Sequence, residues 1–229
     1  MAEEKSRILL VDDEPQICRV LCTVLAQQGF DVWCAGNGKR ALELVRSHNF
    51  DLILLDLNLP DTLGTELCRA IRTSFDTAIV VLTVRSAEGD KIAAFDAGAD
   101  DYVTKPFATP ILLARIRANL RRPNAEDALD LFTCPDLEID FSARIVTRQG
   151  QQARLPRKQY QLLRYLVSHQ GESLSHRALL QAIWGSEHGE ESGLLQVAIS
   201  QLRQKIEPDP KLPRYIVTIP WFGYRFEPH

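Results

Sequence analysis

Five short apolar runs recur through the first half of the chain: RILLV, DVWCA, DLILLD, AIVVLT and DDYVT. Amphipathic stretches with helical spacing separate and follow them, at residues 15–28, 38–48, 65–72, 86–97 and 109–122. Strands that alternate with helices pair in parallel, because each helix carries the chain back across a sheet face before the next strand begins. The runs are apolar throughout, which marks strands covered on both faces. The pattern predicts a doubly wound, five-stranded parallel sheet.

The alternation stops at RRPNAEDALD. Pro123 bars helix continuation and polar residues follow, so a linker is placed at 123–130, between a first domain of residues 1–122 and a second of 131–229. The second domain opens with four short segments of strand or turn character, LFTC, LEID, RIVTR and QARL. Helical patterns follow at about 156–168, 176–184 and 194–206, the last with Leu195, Ile199, Leu202 and Ile206 as its apolar stripe. The hairpin VTIPWFGYRF closes the chain.

The net charge of −3 hides an asymmetry. Residues 1–140 hold 15 Lys/Arg against 23 Asp/Glu, a net of −8, while residues 141–229 hold 12 against 7, a net of +5. An acidic front and a basic rear imply different partners for the two halves. Five cysteines, at 18, 22, 34, 68 and 134, form no Cys-x-x-Cys and no Cys/His group of zinc spacing, so a reduced, cytoplasmic protein is expected. MAEEKSR has no apolar core of a signal peptide, and no membrane partner is expected, because no apolar run approaches the roughly 20 residues that span a bilayer.

In an open parallel sheet, ligands bind outside the carboxyl ends of the strands. Asp12 and Asp13 end the first strand run, Asp56 the third, Thr83 the fourth, and Lys105 follows the fifth. If the order is the usual 2-1-3-4-5, the first, third and fourth strands are neighbours, and the three carboxylates converge. A hard divalent cation such as Mg²⁺ relieves their repulsion. A carboxylate can attack phosphorus to give an aspartyl-phosphate. Lys105 supplies a cation and Thr83 a hydroxyl for the phosphoryl oxygens, and such chemistry needs mainly positioning and charge neutralisation.

On these residues the chain resembles the receiver domain of two-component response regulators, a flavodoxin/CheY-like fold, over residues 7–122. The resemblance implies Asp56 as phosphoacceptor, Asp12, Asp13, Asp56 and the Asn58 carbonyl as the Mg²⁺ site, and Lys105 on the phosphate. It further implies a cis Lys105–Pro106 bond, and Thr83 and an inward-turning Tyr102 as the switch pair. A histidine kinase is the implied phosphodonor. Val84 stands where the family commonly has Ala or Gly and is expected to crowd the approach to Asp56. An aspartyl-nucleophile phosphatase is the rival from another class. It needs a second acid two residues after the nucleophile, where this chain has Asn58, so turnover is disfavoured. The chain is therefore expected not to be an enzyme beyond slow self-dephosphorylation.

The basic half resembles the winged-helix DNA-binding domain of the OmpR/PhoB family, through RKQYQLLRYL, LSHRALLQAIWG, VAISQLRQKIEPDPKLP and GYRF. Within that family, DKIAAFDAGADDY, LRQKIEPDPKLPRYIVT and GYRF look closest to KdpE-type regulators of potassium-transport genes. The resemblance makes the third helix the recognition helix for operator DNA. Its apolar stripe leaves Gln196, Val197, Ser200, Gln201, Arg203, Gln204 and Lys205 to face DNA, with Trp221 and Arg225 in the wing. Gln201 is expected to read sequence and Arg203 to hold phosphate. The acidic, glycine-rich GSEHGEESG is the loop that meets RNA polymerase in the family. A winged-helix regulator that works without phosphate is the remaining alternative.

The family's active form is a homodimer built on the fourth helix, fifth strand and fifth helix. The candidate residues for that face are Lys91, Asp96, Asp100, Asp101, Ile111, Arg115 and Arg122. Ile111 stands where the family usually has Glu, leaving Lys91 without that mate. In the wing, many relatives carry an Arg where this chain has Pro220. Val217, Ile219, Tyr224 and Phe226 are expected to anchor the wing. Trp221 and Phe222 are expected to pack on the recognition helix, or else to press on sugar edges or bury against the first domain.

Overall fold

The computed structural model describes residues 5–84, 88–120, 131–185 and 192–228. The chain forms two compact units, Met1–Arg121 and Arg122–His229. The expected linker at 123–130 lies outside the described residues.

In the first unit, β1 (Arg7–Val11), β2 (Asp31–Ala35), β3 (Leu52–Asp56), β4 (Ala78–Thr83) and β5 (Asp101–Thr104) form one parallel sheet in the order β2-β1-β3-β4-β5. The helices are α1 (Pro15–Gln27), α2 (Gly38–Ser47), α3 (Gly64–Arg72), α4 (Glu88–Asp96) and α5 (Thr109–Leu120). Local chemistry sets their starts. Pro15 opens α1, where its missing N–H costs nothing, and the Asn37 side chain accepts the Arg40 N–H at 2.8 Å at the head of α2.

Alternate strand residues point to opposite faces. Ile8, Leu10, Leu52, Leu54, Val80 and Leu82 pack with Leu21 and Leu25 of α1 and Leu112 and Ile116 of α5. Leu9, Val11, Ile53, Leu55, Ile79 and Val81, of opposite parity, are also fully buried. Each such side chain contributes about 1.5–3 kcal/mol of transfer free energy, so the sheet is the rigid floor beneath its own carboxyl edge.

The cysteines depart from expectation in one place. The sulfurs of Cys22 (α1) and Cys34 (β2) are in bonding contact, with Cα atoms 7.8 Å apart, while Cys18, Cys68 and Cys134 are free thiols. The Cα separation is wider than the roughly 4.4–6.8 Å that disulfides span. Cys68 is buried in apolar surroundings, which pushes its thiol up to about 12 and leaves it inert.

The second unit begins with an antiparallel sheet of β6 (Leu131–Cys134), β7 (Leu137–Asp140), β8 (Ile145–Arg148) and β9 (Gln151–Gln152). Next come α6 (Arg157–Ser168), β10 (Leu174–Ser175), α7 (His176–Trp184), α8 (Ser192–Ile206) and a hairpin of β11 (Ile216–Ile219) and β12 (Gly223–Phe226). β10 is too short to leave a sequence pattern, yet it pairs with β12 and makes a three-stranded sheet ordered β10-β12-β11. Gly223 is required at that junction, since a Cβ there would collide with the Leu174 carbonyl oxygen. Ile216, Tyr224 and Phe226 are buried, whereas Val217 and Ile219 are only half-buried, so Ile216 carries the anchoring expected of those two. Among the described residues, no helix is long and apolar enough to cross a membrane.

Candidate functional site

The strand order brings the ends of β1, β3 and β4 side by side. Asp12 follows β1, Asp56 ends β3 and Thr83 ends β4, and all three are buried. Asp13 is exposed. One carboxylate oxygen from each of Asp12, Asp13 and Asp56 lies within 4.8 Å of the other two. Lys105, just past β5, reaches across with its Nζ 2.7 Å from Asp12 Oδ2 and 2.5 Å from Asp56 Oδ2. Its backbone N–H donates to the Thr83 carbonyl at 2.6 Å, and the Lys105–Pro106 bond is cis, as the resemblance implied.

The remaining carboxylate oxygens are held by backbone. Asp12 Oδ1 accepts the Glu14 N–H at 2.9 Å and Asp56 Oδ1 the Asn58 N–H at 3.0 Å. Burial alone would lower the Lys105 pKa, but hydrogen bonds and charge from Asp12 and Asp56 outweigh it and raise the value. The ammonium therefore stays charged. One cation against three carboxylates leaves the cluster net negative, and all its donors are oxygens, which suits a hard divalent ion.

The loop after β3, which carries Asn58, is fixed at several points. Asn58 bridges to Leu63, and Gly64 donates to the Leu57 carbonyl at 2.8 Å. A Cβ at Gly64 would stand 2.5 Å from the Asp56 carbonyl oxygen and from Leu57 Cα, so glycine is needed for this approach. Asp61 accepts the Gly38 and Lys39 N–H groups at 2.8 and 2.9 Å, at the head of α2. These bonds hold its carboxyl below the ordinary value. Sequence reading missed Asp61, because nothing in the local sequence shows a partner more than 20 residues away.

The candidate switch residues are both internal. Thr83 is buried at the end of β4, and Tyr102 is turned inward. Its ring lies edge-on to Phe95 with centroids 5.7 Å apart, and the Arg115 guanidinium lies 5.7 Å from its centroid. Val84 is exposed.

The candidate dimer face needs correction. Asp100 and Asp101 are not surface charges: they are 2% and 0% exposed. Asp100 pairs with Arg72 and accepts the Ile79 N–H at 2.8 Å. Asp101 accepts from Arg115 at 2.8 Å, from the Tyr102 N–H at 2.7 Å and from Asn119 at 3.0 Å. Arg115 is thus engaged within its own chain. Asp96 and Ile111 are exposed. The Lys91 side chain and all of Arg122 lie outside the described residues.

On α8, Gln196, Ser200 and Gln204 are exposed and Val197 is half-buried. Three other candidates are turned toward the fold. Gln201 accepts from Gln159 at 2.6 Å. Lys205 donates to the Arg154 carbonyl and to Gln159, both at 2.9 Å. Arg203 donates to the Ile216 carbonyl at 3.1 and 2.6 Å and to Thr218 Oγ1 at 2.8 Å, and lies 5.6 Å from the Tyr224 ring centroid. It ties α8 to the hairpin rather than reaching outward. In the hairpin, Arg225 pairs with Glu227. Trp221 does not pack on α8: it is fully exposed at the tip, and Phe222 is 46% exposed. The GSEHGEESG loop lies largely outside the described residues.

The end of α8 holds a buried group that sequence reading missed. Glu207 is 0% exposed and accepts the N–H groups of Arg214, Tyr215 and Ile216 at 2.8, 3.0 and 2.8 Å. Its carboxylate fixes the turn that leads into the hairpin.

An acidic pocket at the edge of a parallel sheet, joined to a helical unit with a C-terminal hairpin, defines a response regulator with a DNA-binding output domain. Residues 8–117 match the response regulator receiver domain, and residues 150–226 match the C-terminal domain of transcriptional regulatory proteins. The chain belongs to the OmpR/PhoB family of response regulators. It is 34% identical to the response regulator DrrB of Thermotoga maritima, an OmpR/PhoB homologue, over 98% of this chain and 100% of that one, with a TM-score of 0.52. A mutant of RitR aligns at 27% identity over 98% of this chain and all of the other, with a TM-score of 0.79. A two-component response regulator of Clostridium difficile is 33% identical over 53% of this chain and 100% of that chain, with a TM-score of 0.51. The chain is a phosphorylation-regulated, DNA-binding transcriptional regulator.

Proposed function

We propose that Asp56 is the phosphoacceptor and that its phosphorylation by a histidine kinase controls operator binding through α8 and the hairpin. The observation that carries this is the geometry of the pocket: a buried carboxylate at a strand end, with a lysine ammonium 2.5 Å away and two further carboxylates beside it.

Asp12, Asp13, Asp56 and the Asn58 carbonyl would hold Mg²⁺, which when bound neutralises charge on the phosphoryl oxygens. The chain's own residues do the rest. The Asp56 carboxylate oxygen attacks the phosphorus of a phosphohistidine, the new P–O bond forms as the P–N bond breaks, and the imidazole leaves. Lys105 then exchanges its contact with Asp56 for the phosphoryl oxygens. Thr83 donates its hydroxyl to the same group, and the buried Tyr102 is the aromatic whose packing follows that movement. Asn58 offers no carboxyl for general-base hydrolysis, which favours a lasting acyl phosphate over turnover.

Gln196, Val197, Ser200 and Gln204 form the outward strip of α8, and a helix of this kind fits the major groove. Gln201, Arg203 and Lys205 support it from behind, and Arg225 lies in the hairpin beside it. Asp96 and Ile111, with Lys91, are the proposed contacts of a phosphorylated homodimer working in the cytoplasm with RNA polymerase. The stretches DKIAAFDAGADDY and LRQKIEPDPKLPRYIVT support potassium-transport genes as targets. Duplexes selected genome-wide by phosphorylated protein and by Asp56→Ala test both levels. Enrichment near such genes only with phosphorylated protein is expected, and identical enrichment by both proteins would refute control through Asp56.

A further inference from the structure

We propose that Cys22 and Cys34 are a reversible redox site, a dithiol that a peroxide oxidises to a disulfide, and that closing it weakens Mg²⁺ binding at the acidic pocket. The inference rests on reading that pocket as the Mg²⁺ site and goes beyond it.

Cys22 lies in the middle of α1 and Cys34 next to the end of β2, and their sulfurs meet across the two elements. Cys34 is exposed and Cys22 half-buried, so a small oxidant reaches the pair. Cys18, Cys68 and Cys134 are free thiols. In a reducing compartment, disulfides are usually transient and serve catalysis or redox sensing. The Cα atoms stand 7.8 Å apart, whereas bridges ordinarily span at most about 6.8 Å. Closing the bridge therefore draws α1 and β2 together by about 1 Å. β2 can follow, because it is the edge strand of the sheet, paired with β1.

Both elements hold Asp12. On the β2 side, the residue after Cys34 is Ala35, whose carbonyl accepts the Asp12 N–H at 3.1 Å. On the α1 side, Cys18 lies one turn before Cys22, and its thiol donates to the Asp12 carbonyl at 3.3 Å. The Cys18 N–H donates to the Glu14 carbonyl at 3.1 Å, and the Glu14 N–H donates to Asp12 Oδ1 at 2.9 Å. A movement of α1 against β2 therefore reaches Asp12 through its N–H, its carbonyl and one carboxylate oxygen. Mg²⁺ demands near-ideal octahedral geometry, so a displaced Asp12 holds it less well.

The Cys34 thiolate attacks one oxygen of hydrogen peroxide, the O–O bond breaks, and Cys34 becomes a sulfenic acid as hydroxide leaves. The Cys22 thiolate then attacks the Cys34 sulfur, the S–S bond forms, the S–O bond breaks, and a second hydroxide leaves. The two thiol protons end on the two waters, and the two electrons end on the peroxide oxygens. A dithiol reductant returns both thiols by exchange.

The test uses the full-length protein, reduced with dithiothreitol, oxidised with hydrogen peroxide, and reduced again. Peptide mapping without reductant is expected to show a bridge between Cys22 and Cys34 that dithiothreitol opens. Calorimetric Mg²⁺ titration is expected to show roughly tenfold weaker binding by the oxidised protein, the scale of disturbing a group that orients a metal ligand, with recovery on reduction. Cys34→Ser is expected to bind Mg²⁺ as reduced wild type does, before and after peroxide. Three results overturn the redox site and spare the Mg²⁺ reading: no bridge between the two cysteines, a bridge that dithiothreitol does not open, or oxidised protein that binds Mg²⁺ at least as tightly as reduced protein. The same loss of affinity in peroxide-treated Cys34→Ser also overturns it, since oxidation elsewhere would then be responsible. Reduced protein that binds no Mg²⁺ overturns both.

Discussion

Lys105 Nζ stands 2.5 Å from Asp56 Oδ2 and 2.7 Å from Asp12 Oδ2, so one ammonium neutralises part of the same acidic pocket that a metal ion would occupy. The lysine and the ion therefore compete electrostatically, although both favour a phosphorylated Asp56. Lys105→Met is expected to tighten Mg²⁺ binding several-fold, on the order of 1 kcal/mol for removing a nearby like charge, and yet to slow phosphorylation. Calorimetric Mg²⁺ titration and phosphorylation by a small-molecule donor check the two halves. Weaker Mg²⁺ binding in the variant would contradict this account.

Arg72 and Asp100 form a buried ion pair, in which Arg72 also donates to the Gly98 and Thr77 carbonyls. Removing one partner strands the other. Arg72→Ala is expected to destabilise the first unit by about 3–5 kcal/mol, read by urea unfolding. Asp100→Asn is expected to lower stability as well, without abolishing dimerisation of whatever protein remains folded. Sedimentation of the folded fraction with a beryllofluoride phosphoryl mimic separates the two effects.

Asp61 links the Asn58 loop to the head of α2. Its carboxyl lies below the ordinary value of 3.8 because the Lys39 and Gly38 N–H groups favour the charged form. A depressed folded pKa contributes stability that is complete above the unfolded value and is lost as pH falls through the folded value. Asp61→Asn is expected to flatten the acid side of the stability curve, below about pH 5. Denaturant midpoints of wild type and variant measured across that range should converge as pH drops. Parallel curves would show that Asp61 contributes nothing there.

Trp221 occupies a backbone conformation that suits glycine. Trp221→Gly relieves the left-handed penalty of about 1–2 kcal/mol, offset in part by the added freedom of glycine in the unfolded chain. Because the indole is fully exposed, little packing is lost. A thermal midpoint at or slightly above that of wild type is expected, and a clear fall would mean that the indole supports the fold.

The strands and the polar residues at their ends were legible because each rests on local pattern: continuous apolar runs, helical spacing between them, and polar residues at the run ends; the strand order was assumed as the usual one for such a sheet, and the structure has that order. Partnerships set by tertiary folding were not. Asp100 and Asp101 read as surface charges, yet the topology turns them onto Arg72, Arg115 and Asn119. Arg203 and Lys205 lie on the polar side of the α8 pattern, but their long side chains fold back onto β11 and α6. Glu207, which the apolar stripe of α8 does not single out, is buried against three backbone N–H groups. Periodicity reports which face of an element is apolar. It does not report where a long charged side chain finds its partner.

The central claim is that phosphorylation of Asp56 switches the DNA-binding unit. The most direct measurement combines intact-protein mass with binding to the selected duplex, before and after treatment with a phosphodonor and Mg²⁺. The account predicts one added phosphoryl group that is absent in Asp56→Asn, together with tighter duplex binding by wild type alone. Equal binding by treated wild type and treated Asp56→Asn, with wild type fully phosphorylated, would contradict it.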